Sequence, residues 1–348
     1  MLELKNISKN LGEFSLNNIN ISVKEKEYFV ILGISGAGKS VLLEMIAGLL
    51  KPDSGSIVLS EQDITHEKIQ HRDIGIVFQD HAVFPHMSVY KNIMYPLKNM
   101  GTPKTKAKEI VHRFAALMNI DHLLDRMPST LSGGEKQRLA LARTLVLEPK
   151  YLLLDEPLAS VDAQLKSELR FLLRKINRMG ITIVHVTHDY EEAISLAERV
   201  AVIYQGELIQ TGTSKEVFNN PKSKFLANFT GIKNFFSAKG LSENLSIAED
   251  KVKVHHYKET ADSDGYILFR SEDVIVSAAN NPSSTLNNFE GKIIDIFPNI
   301  HGMELLIDIG IEITAHVTNE SVKHLQLELN KNVWVSFKST AVKFIPHE

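Results

Sequence analysis

Five short segments, 28–32, 74–78, 151–154, 182–187 and 200–204, are apolar almost without interruption. Half-exposed strands alternate apolar and polar residues, whereas strands covered on both faces do not. Helical patterns at about 39–47, 104–118 and 135–147 interleave with these runs, so the first 230 residues require a mostly parallel α/β sheet. At 348 residues the chain exceeds one hydrophobic core, and a second domain is expected. The texture changes after Gly231, where short β-rich runs take over at 251–254, 266–269, 292–296, 304–309, 312–317 and 333–337. Turn clusters such as Asn280-Asn281-Pro282-Ser283-Ser284 separate them, which predicts a small all-β, barrel-like domain over 232–348, joined near 225–233.

Composition narrows the function. A net charge of −3, with no Lys/Arg block, argues against a nucleic-acid partner. The absence of cysteine removes disulfides and thiolate chemistry and agrees with a reducing compartment. Residues 1–5 lack the apolar core of a signal peptide, and no apolar run approaches a membrane span. Any membrane role is therefore expected to pass through a partner.

Gly33-Ile34-Ser35-Gly36-Ala37-Gly38-Lys39-Ser40 follows a strand and opens a helix, the context of a phosphate-binding loop. Its N–H groups are expected to wrap a β-phosphate, Lys39 to neutralise β/γ charge and Ser40 to ligate Mg²⁺. The strand at 151–154 ends in Asp155-Glu156. Ligands of parallel sheets gather at the carboxyl ends of strands. That puts Asp155 beside the Mg²⁺, directly or through water, and Glu156 near the γ-phosphate, where an attacking water needs a proton acceptor. The alternative is a pair of solvated carboxylates after a core strand. Gln79 ends the 74–78 strand in the same topological position, and His188 follows 182–187. His185 reads as a core residue, and Asp189 with Glu192 fits a capping box. Leu131-Ser132-Gly133-Gly134-Glu135 holds another capping box, yet its two glycines cost about 1 kcal/mol each against alanine. Bare N–H groups at a helix N-terminus suit phosphate.

Together with Ala159-Ser160-Val161-Asp162, these six motifs stand in the order found in nucleotide-binding subunits of ABC transporters, which residues 1–230 resemble. The resemblance implies an α/β P-loop NTPase domain with a helical subdomain at about 88–147, and ATP and Mg²⁺ as cofactors. It places Gly33, Ser35, Gly36, Ala37, Gly38, Lys39, Ser40 and Val41 around the phosphates and Ser40, Gln79 and Asp155 around the metal. Glu156, His188 and Gln79 would be catalytic. The family pairs head to tail, so Ser132, Gly133 and Gly134 would bind ATP held on the other chain of a homodimer. Where the family has an adenine-stacking aromatic, Leu11 stands in this chain with Phe14 as a nearby substitute. The 82–97 segment, with Phe84, His86, Met87 and Tyr90, is expected to receive a coupling helix of an integral-membrane permease, or else to plug its own subdomain.

Leu268-Phe269-Arg270-Ser271-Glu272-Asp273-Val274 resembles the regulatory tail of importer ATPases, and 287–293, 313–318, Ser321 and 336–342 resemble a molybdate-binding TOBE/Mop-like module. The overall similarity is to molybdate/tungstate importer ATPases. It implies that Thr318, Ser321, Lys338 and Ser339 hold an oxyanion between barrels, although Leu286 stands where the pattern has arginine, which weakens anion recognition. The expected function is an ATPase subunit on the cytoplasmic face of the membrane, energising oxyanion import and serving a substrate-binding protein indirectly. Importers of sulfate, ferric iron or polyamine share every ATPase motif. A soluble ABC ATPase would bring tandem domains or a coiled-coil insertion, which this sequence lacks.

Overall fold

The computed structural model describes residues 1–159, 161–257, 263–280 and 283–347. Ser160 of the 159–162 motif and Asn281 and Pro282 of the turn cluster lie outside them. The chain forms two compact units, Met1–Val217 and Phe218–Glu348.

The first unit runs β1 (Leu2–Asn10), β2 (Ser15–Val23), β3 (Tyr28–Leu32), α1 (Lys39–Ala47), β4 (Ser54–Leu59), β5 (Gln62–Asp63) and β6 (Ile74–Val77). The helices α2 (Val89–Asn99), α3 (Lys104–Leu117) and α4 (Gly133–Leu145) follow. The unit continues with β7 (Tyr151–Asp155), α5 (Ala163–Arg178), β8 (Thr182–Thr187), α6 (Tyr190–Leu196), β9 (Arg199–Tyr204) and β10 (Glu207–Thr213), and α7 (Ser214–Asn219) leads onward. Six strands form one sheet in the order β10-β9-β3-β8-β7-β6, parallel except for the edge strand β10. As the apolar runs require, β3 and β8 are buried at every position. The register sets Leu32 beside Thr187, Asp155 beside Val186 and Val77 beside Leu154. The carboxyl ends of β3, β8, β7 and β6 therefore finish in line, with a motif after each.

A second, antiparallel sheet, β2-β1-β4-β5, shares an apolar core with α1 and the parallel sheet, through Leu4, Ile7, Ile19, Phe29, Leu42, Ile46 and Leu153. Sequence periodicity does not announce it. Register shifts between Leu4 and Ile7 and again between Ile7 and Lys9 break the alternation of β1 that a reader would look for.

The last carbonyls of α1 have no partner within the helix. Arg72, only 2% exposed, supplies one. Its Nη1 donates to the carbonyls of Met45 and Ile46, both at 2.9 Å, its Nε to that of Glu67 at 2.9 Å and its Nη2 to that of Thr65 at 3.1 Å. Gly48 ends the helix with φ 82°, and a Cβ there would meet Arg72 Nε at 2.5 Å.

The second unit holds α8 (Lys224–Phe229), β11 (Asn234–Ser242), β12 (Leu245–Ala248), β13 (Val252–His255), β14 (Asp264–Phe269), β15 (Ile275–Ser277), β16 (Asn287–Asn299), β17 (Gly302–Asp308), β18 (Glu312–Val317), α9 (Asn319–His324), β19 (Asn332–Phe337) and β20 (Lys343–Pro346). Two antiparallel sheets, β13-β12-β11-β14-β20 and β15-β19-β16-β17-β18, enclose one core in which Phe269 stacks on Phe337 at 4.4 Å. Two buried asparagines join them. The Asn234 amide exchanges two hydrogen bonds with the Thr314 backbone, and the Asn287 amide does the same with His255. The all-β expectation for this region holds. Segment 218–230 groups with this unit because Ala227 of α8 packs with Ile232, Phe235, Leu268 and Ile345.

Candidate functional site

At the end of β3 the chain turns through Gly36 (φ 79°) and Gly38 (φ 96°) into α1. A Cβ on Gly38 would lie 2.6 Å from Phe14 Cζ and 2.7 Å from Leu16 Cδ2, so the loop closes directly onto the Phe14 ring. Gly38 caps α1 without a side-chain bond, whereas Ser88, Ser132 and Asp189 each accept one at α2, α4 and α6. The first-turn N–H groups of α1 are left open at the positive end of the helix dipole, an anion-binding arrangement. A cavity of about 320 Å³ bordered by Glu13, Phe14, Ser35, Gly36, Ala37 and Gln205 adjoins the loop. Lys39 is buried, and its Nζ donates to the Ile34 carbonyl at 2.9 Å and lies 4.0 Å from Glu156 Oε1. Burial pushes its pKa down, against the pull of Glu156 and Asp155.

Ser40 Oγ donates to Asp155 Oδ1 at 3.0 Å. Burial raises the Asp155 pKa, the Ser40 hydroxyl opposing it and the Glu156 charge adding to it. Two adjacent oxygens, one on a carboxylate whose charged form burial disfavours, fit Mg²⁺, which binds through one or two carboxylates and completes its shell with water and substrate phosphate. Among the described residues no group of three or more His, Cys, Asp or Glu could hold a metal, so the protein supplies part of that shell only.

Glu156 has φ 44°, a left-handed conformation shared with other non-glycine turn residues of this chain, which costs about 1 kcal/mol or more and must be held by its surroundings. Its N–H donates to the Val186 carbonyl at 2.9 Å, locking the turn, and its Oε2 lies 2.9 Å from His188 Nδ1. The aligned strand ends thus bring together Lys39, Ser40, Asp155, Glu156 and His188. Gln79 is exposed in the turn after β6, on the same sheet edge, and no hydrogen bond among the described residues ties its amide to that group.

The 131–135 motif forms the expected capping box: Ser132 Oγ accepts from the Glu135 N–H at 3.3 Å and Glu135 Oε2 from the Ser132 N–H at 2.7 Å. That bond holds the Glu135 carboxyl below the usual carboxylate range. A Cβ on Gly134 would sit 3.4 Å from Leu165 Cδ1, an ordinary contact. Packing within this chain therefore does not demand the glycine. No hydrogen bond or ion pair among the described residues joins 132–134 to the phosphate loop.

A groove of about 560 Å³ lies between β6, α2 and α4, lined by Ile69, Phe84, Tyr95, Pro96, Met100 and Arg143 among others. Phe84 meets Tyr95 edge-on at 4.8 Å and carries the Arg143 guanidinium 4.9 Å above its ring. Asn92, fully buried, pins this bend by bonding both the N–H and the carbonyl of Phe84 and the carbonyls of Met87 and Ser88. Of the residues the sequence points to here, Phe84 lines the groove and His86, Met87 and Tyr90 do not. Arg143 and Met100 reach it from outside the 82–97 segment, through the packing of α4 against α2.

In the second unit Thr318 caps α9, its Oγ1 accepting from the Ser321 N–H at 3.1 Å. Lys338 and Ser339 follow β19. Phe337 pairs with Asn287, and Val317 ends beside Met303 near the Asn299–Gly302 pair, so the two halves of this set follow opposite ends of β16. Leu286 is exposed.

Comparisons with known proteins agree with this geometry. Residues 16–159 match the ABC transporter family model and residues 283–344 the TOBE domain model. The chain is 40% identical over 345 residues to the molybdate/tungstate import ATP-binding protein WtpC of Pyrococcus abyssi, covering 99% of each. It is 36% identical over 336 residues to the sulfate/thiosulfate import ATP-binding protein CysA of Thermosynechococcus vestitus, covering 96% of this chain and 95% of that protein. The dimeric ABC transporter cassette MJ0796 matches with a TM-score of 0.56 at 29% identity, over 62% of this chain and 99% of that one. No helix among the described residues is long and apolar enough to cross a membrane.

Proposed function

This chain belongs to the ATP-binding subunits of ABC importers, and on that footing we propose that it energises import of molybdate or tungstate. The full-length similarity to the Pyrococcus protein supports this cargo, and the sulfate/thiosulfate relative sets the runner-up. The observation that carries the chemistry is Glu156 held between His188 and Lys39, beside the Ser40–Asp155 pair. Lys39 and the open N–H groups of α1 neutralise the β- and γ-phosphates. Ser40 and Asp155, with Gln79 on the same edge, hold Mg²⁺, which screens phosphate charge. Glu156 accepts the proton of the attacking water while His188 orients it toward the γ-phosphate. Glycine at 134, which this chain's own packing does not require, supports a second role for the α4 N-terminus: Ser132, Gly133 and Gly134 close over ATP on a second copy. The dimeric form of the related cassette fits that arrangement.

The groove around Phe84, Tyr95 and Arg143 receives the permease, which keeps the protein on the cytoplasmic face of the membrane, and a substrate-binding protein acts from the far side. The 1–230 region is the ATPase and 232–348 the regulatory module, where Thr318, Ser321, Lys338 and Ser339 meet the oxyanion between two copies. Their placement at opposite ends of β16 supports a site shared between barrels over one built within a single barrel.

Lys39→Ala is expected to weaken ATP binding by about a hundredfold, since a buried charge-assisted contact is worth roughly 3 kcal/mol. Calorimetry measures it, and unchanged affinity would exclude Lys39 from the phosphate site. Cargo is tested by titrating the full chain with molybdate, tungstate and sulfate in saturating ADP, which occupies the phosphate loop against adventitious anions. Heat from the first two alone is expected. Heat from sulfate alone reassigns the cargo, and silence from all three withdraws the second unit as an anion sensor.

A further inference from the structure

Behind His188 lies a buried polar chain to which none of the steps above assigns a role. Tyr28 on β3 is 1% exposed, His185 on β8 0%, Thr187 2% and Glu192 in the first turn of α6 2%. Tyr28 Oη lies 3.0 Å from His185 Nδ1, and His185 Nε2 lies 3.3 Å from Glu192 Oε2. The same carboxylate oxygen accepts from Thr187 Oγ1 at 2.7 Å, and Thr187 Oγ1 accepts from the Asp189 N–H at 3.0 Å. The chain thus ends on the two residues that flank His188. From α5, Lys166 reaches Glu192 Oε1 at 3.9 Å and Asp189 Oδ2 at 3.4 Å.

A core plug would be served better by apolar side chains, because burying a carboxylate costs several kcal/mol before its partners repay it. Burial pushes the Glu192 carboxyl up, but the neighbouring His185 ring and the hydrogen bond from Thr187 outweigh that and hold it below the usual carboxylate range. A charge maintained at that expense makes the Thr187 hydroxyl an obligate donor to Glu192, which leaves its lone pairs for the Asp189 N–H. The turn between β8 and α6 is thereby held on both sides of His188.

We propose that Glu192 is a positioning residue for ATP hydrolysis: through the Thr187 hydroxyl it holds the 187–189 turn so that His188 stays against Glu156. On its other side Glu192 faces His185 at 3.3 Å, and His185 Nδ1 in turn meets Tyr28 Oη on β3, the strand that ends in the phosphate loop. The inference rests on the assignment of Glu156 and His188 to hydrolysis.

The test measures kcat, KM for ATP and thermal midpoint for Thr187→Val, Thr187→Ser, Glu192→Gln, His188→Ala and the Glu192→Gln/His188→Ala pair in the full chain. Small displacements of a reacting group cost up to about a hundredfold in rate, so Thr187→Val is expected to lower kcat roughly tenfold or more with KM changed less than about twofold. Thr187→Ser, which keeps the hydroxyl, restores kcat. Glu192→Gln adds no further loss to His188→Ala, because both act through one group. Wild-type kcat in Thr187→Val beside a crippled His188→Ala overturns this inference alone, as does equal impairment of the Val and Ser variants or multiplying losses in the double variant. A His188→Ala protein with wild-type turnover overturns the underlying assignment, and this one with it.

Discussion

Glu156→Gln is expected to lower ATP turnover by about 10²–10⁴-fold while leaving ATP affinity nearly unchanged. The carboxamide is isosteric and the backbone turn at φ 44° is locked by the Val186 carbonyl, so the side chain keeps its place near His188. What it loses is the capacity to take a proton from water. A bound ATP that is not hydrolysed leaves the two copies closed, so size-exclusion chromatography with ATP should show a stable dimer in the variant and a transient one in the wild type. Single-turnover kinetics separate this from a binding defect. Wild-type turnover would remove Glu156 as the base. Retained chemistry with lost affinity would recast it as a binding residue.

Arg72→Ala is expected to destabilise the first unit by about 4 kcal/mol, among the larger effects of any single substitution. The carbonyls of Ile46, Thr65 and Glu67 lose their donor at once and that of Met45 keeps only the Gly48 N–H, and each buried acceptor left unsatisfied costs about 1–3 kcal/mol less whatever water recovers. A unit of this size loses roughly 2–4 °C of melting temperature per kcal/mol, so a fall of about 10 °C is expected. Arg72→Lys replaces a planar fork that makes four hydrogen bonds with a single ammonium of three donors and should recover less than half of it. Helical circular dichroism reports the first unit, which holds α1 to α6, and the fluorescence of Trp334, the single tryptophan, reports the second. A helical transition within about 2 °C of the wild type would show that the Arg72 contacts contribute little.

Much of the parallel sheet was legible in the sequence. Segments 28–32 and 182–187 coincide with β3 and β8, because a strand buried on both faces leaves an uninterrupted apolar run. The all-β texture of the second unit was legible too, though β16 runs from Asn287 to Asn299 where the apolar run covers only 292–296. Most of the positions outside that run are half exposed or open, and the buried one at the start of β16 is the polar Asn287, so periodicity reads these stretches as loop. The β2-β1-β4-β5 sheet was hidden by bulges. In the site, the phosphate loop and the capping box at Ser132 were readable, whereas the box expected at Asp189 forms only by half: Asp189 Oδ1 accepts from the Glu191 and Glu192 N–H groups, but Glu192 turns its carboxylate to Thr187 and not to the Asp189 N–H. Arg72 on Met45 and Ile46 and Arg143 on Phe84 were not, since each acts on groups its own neighbourhood does not contain, and Asn92 and Glu192, which bond groups only four to eight residues away, carry no motif that marks them.

The distinction is one of range. A phosphate loop, a capping box or a glycine cap is made by backbone groups within a few residues, so residue order alone specifies it. Sequence by itself therefore determined that this chain has a phosphate-binding turn, capped helices at 133 and 190, a buried parallel sheet and a separate β-rich unit. Tertiary structure alone decided what those parts do to one another. Ser40 meets Asp155 across 115 positions, and Glu156 meets His188, because parallel pairing sets Leu32 beside Thr187 and Asp155 beside Val186. A slip of one residue in either register would turn those side chains to the opposite face and dissolve the site with every motif intact.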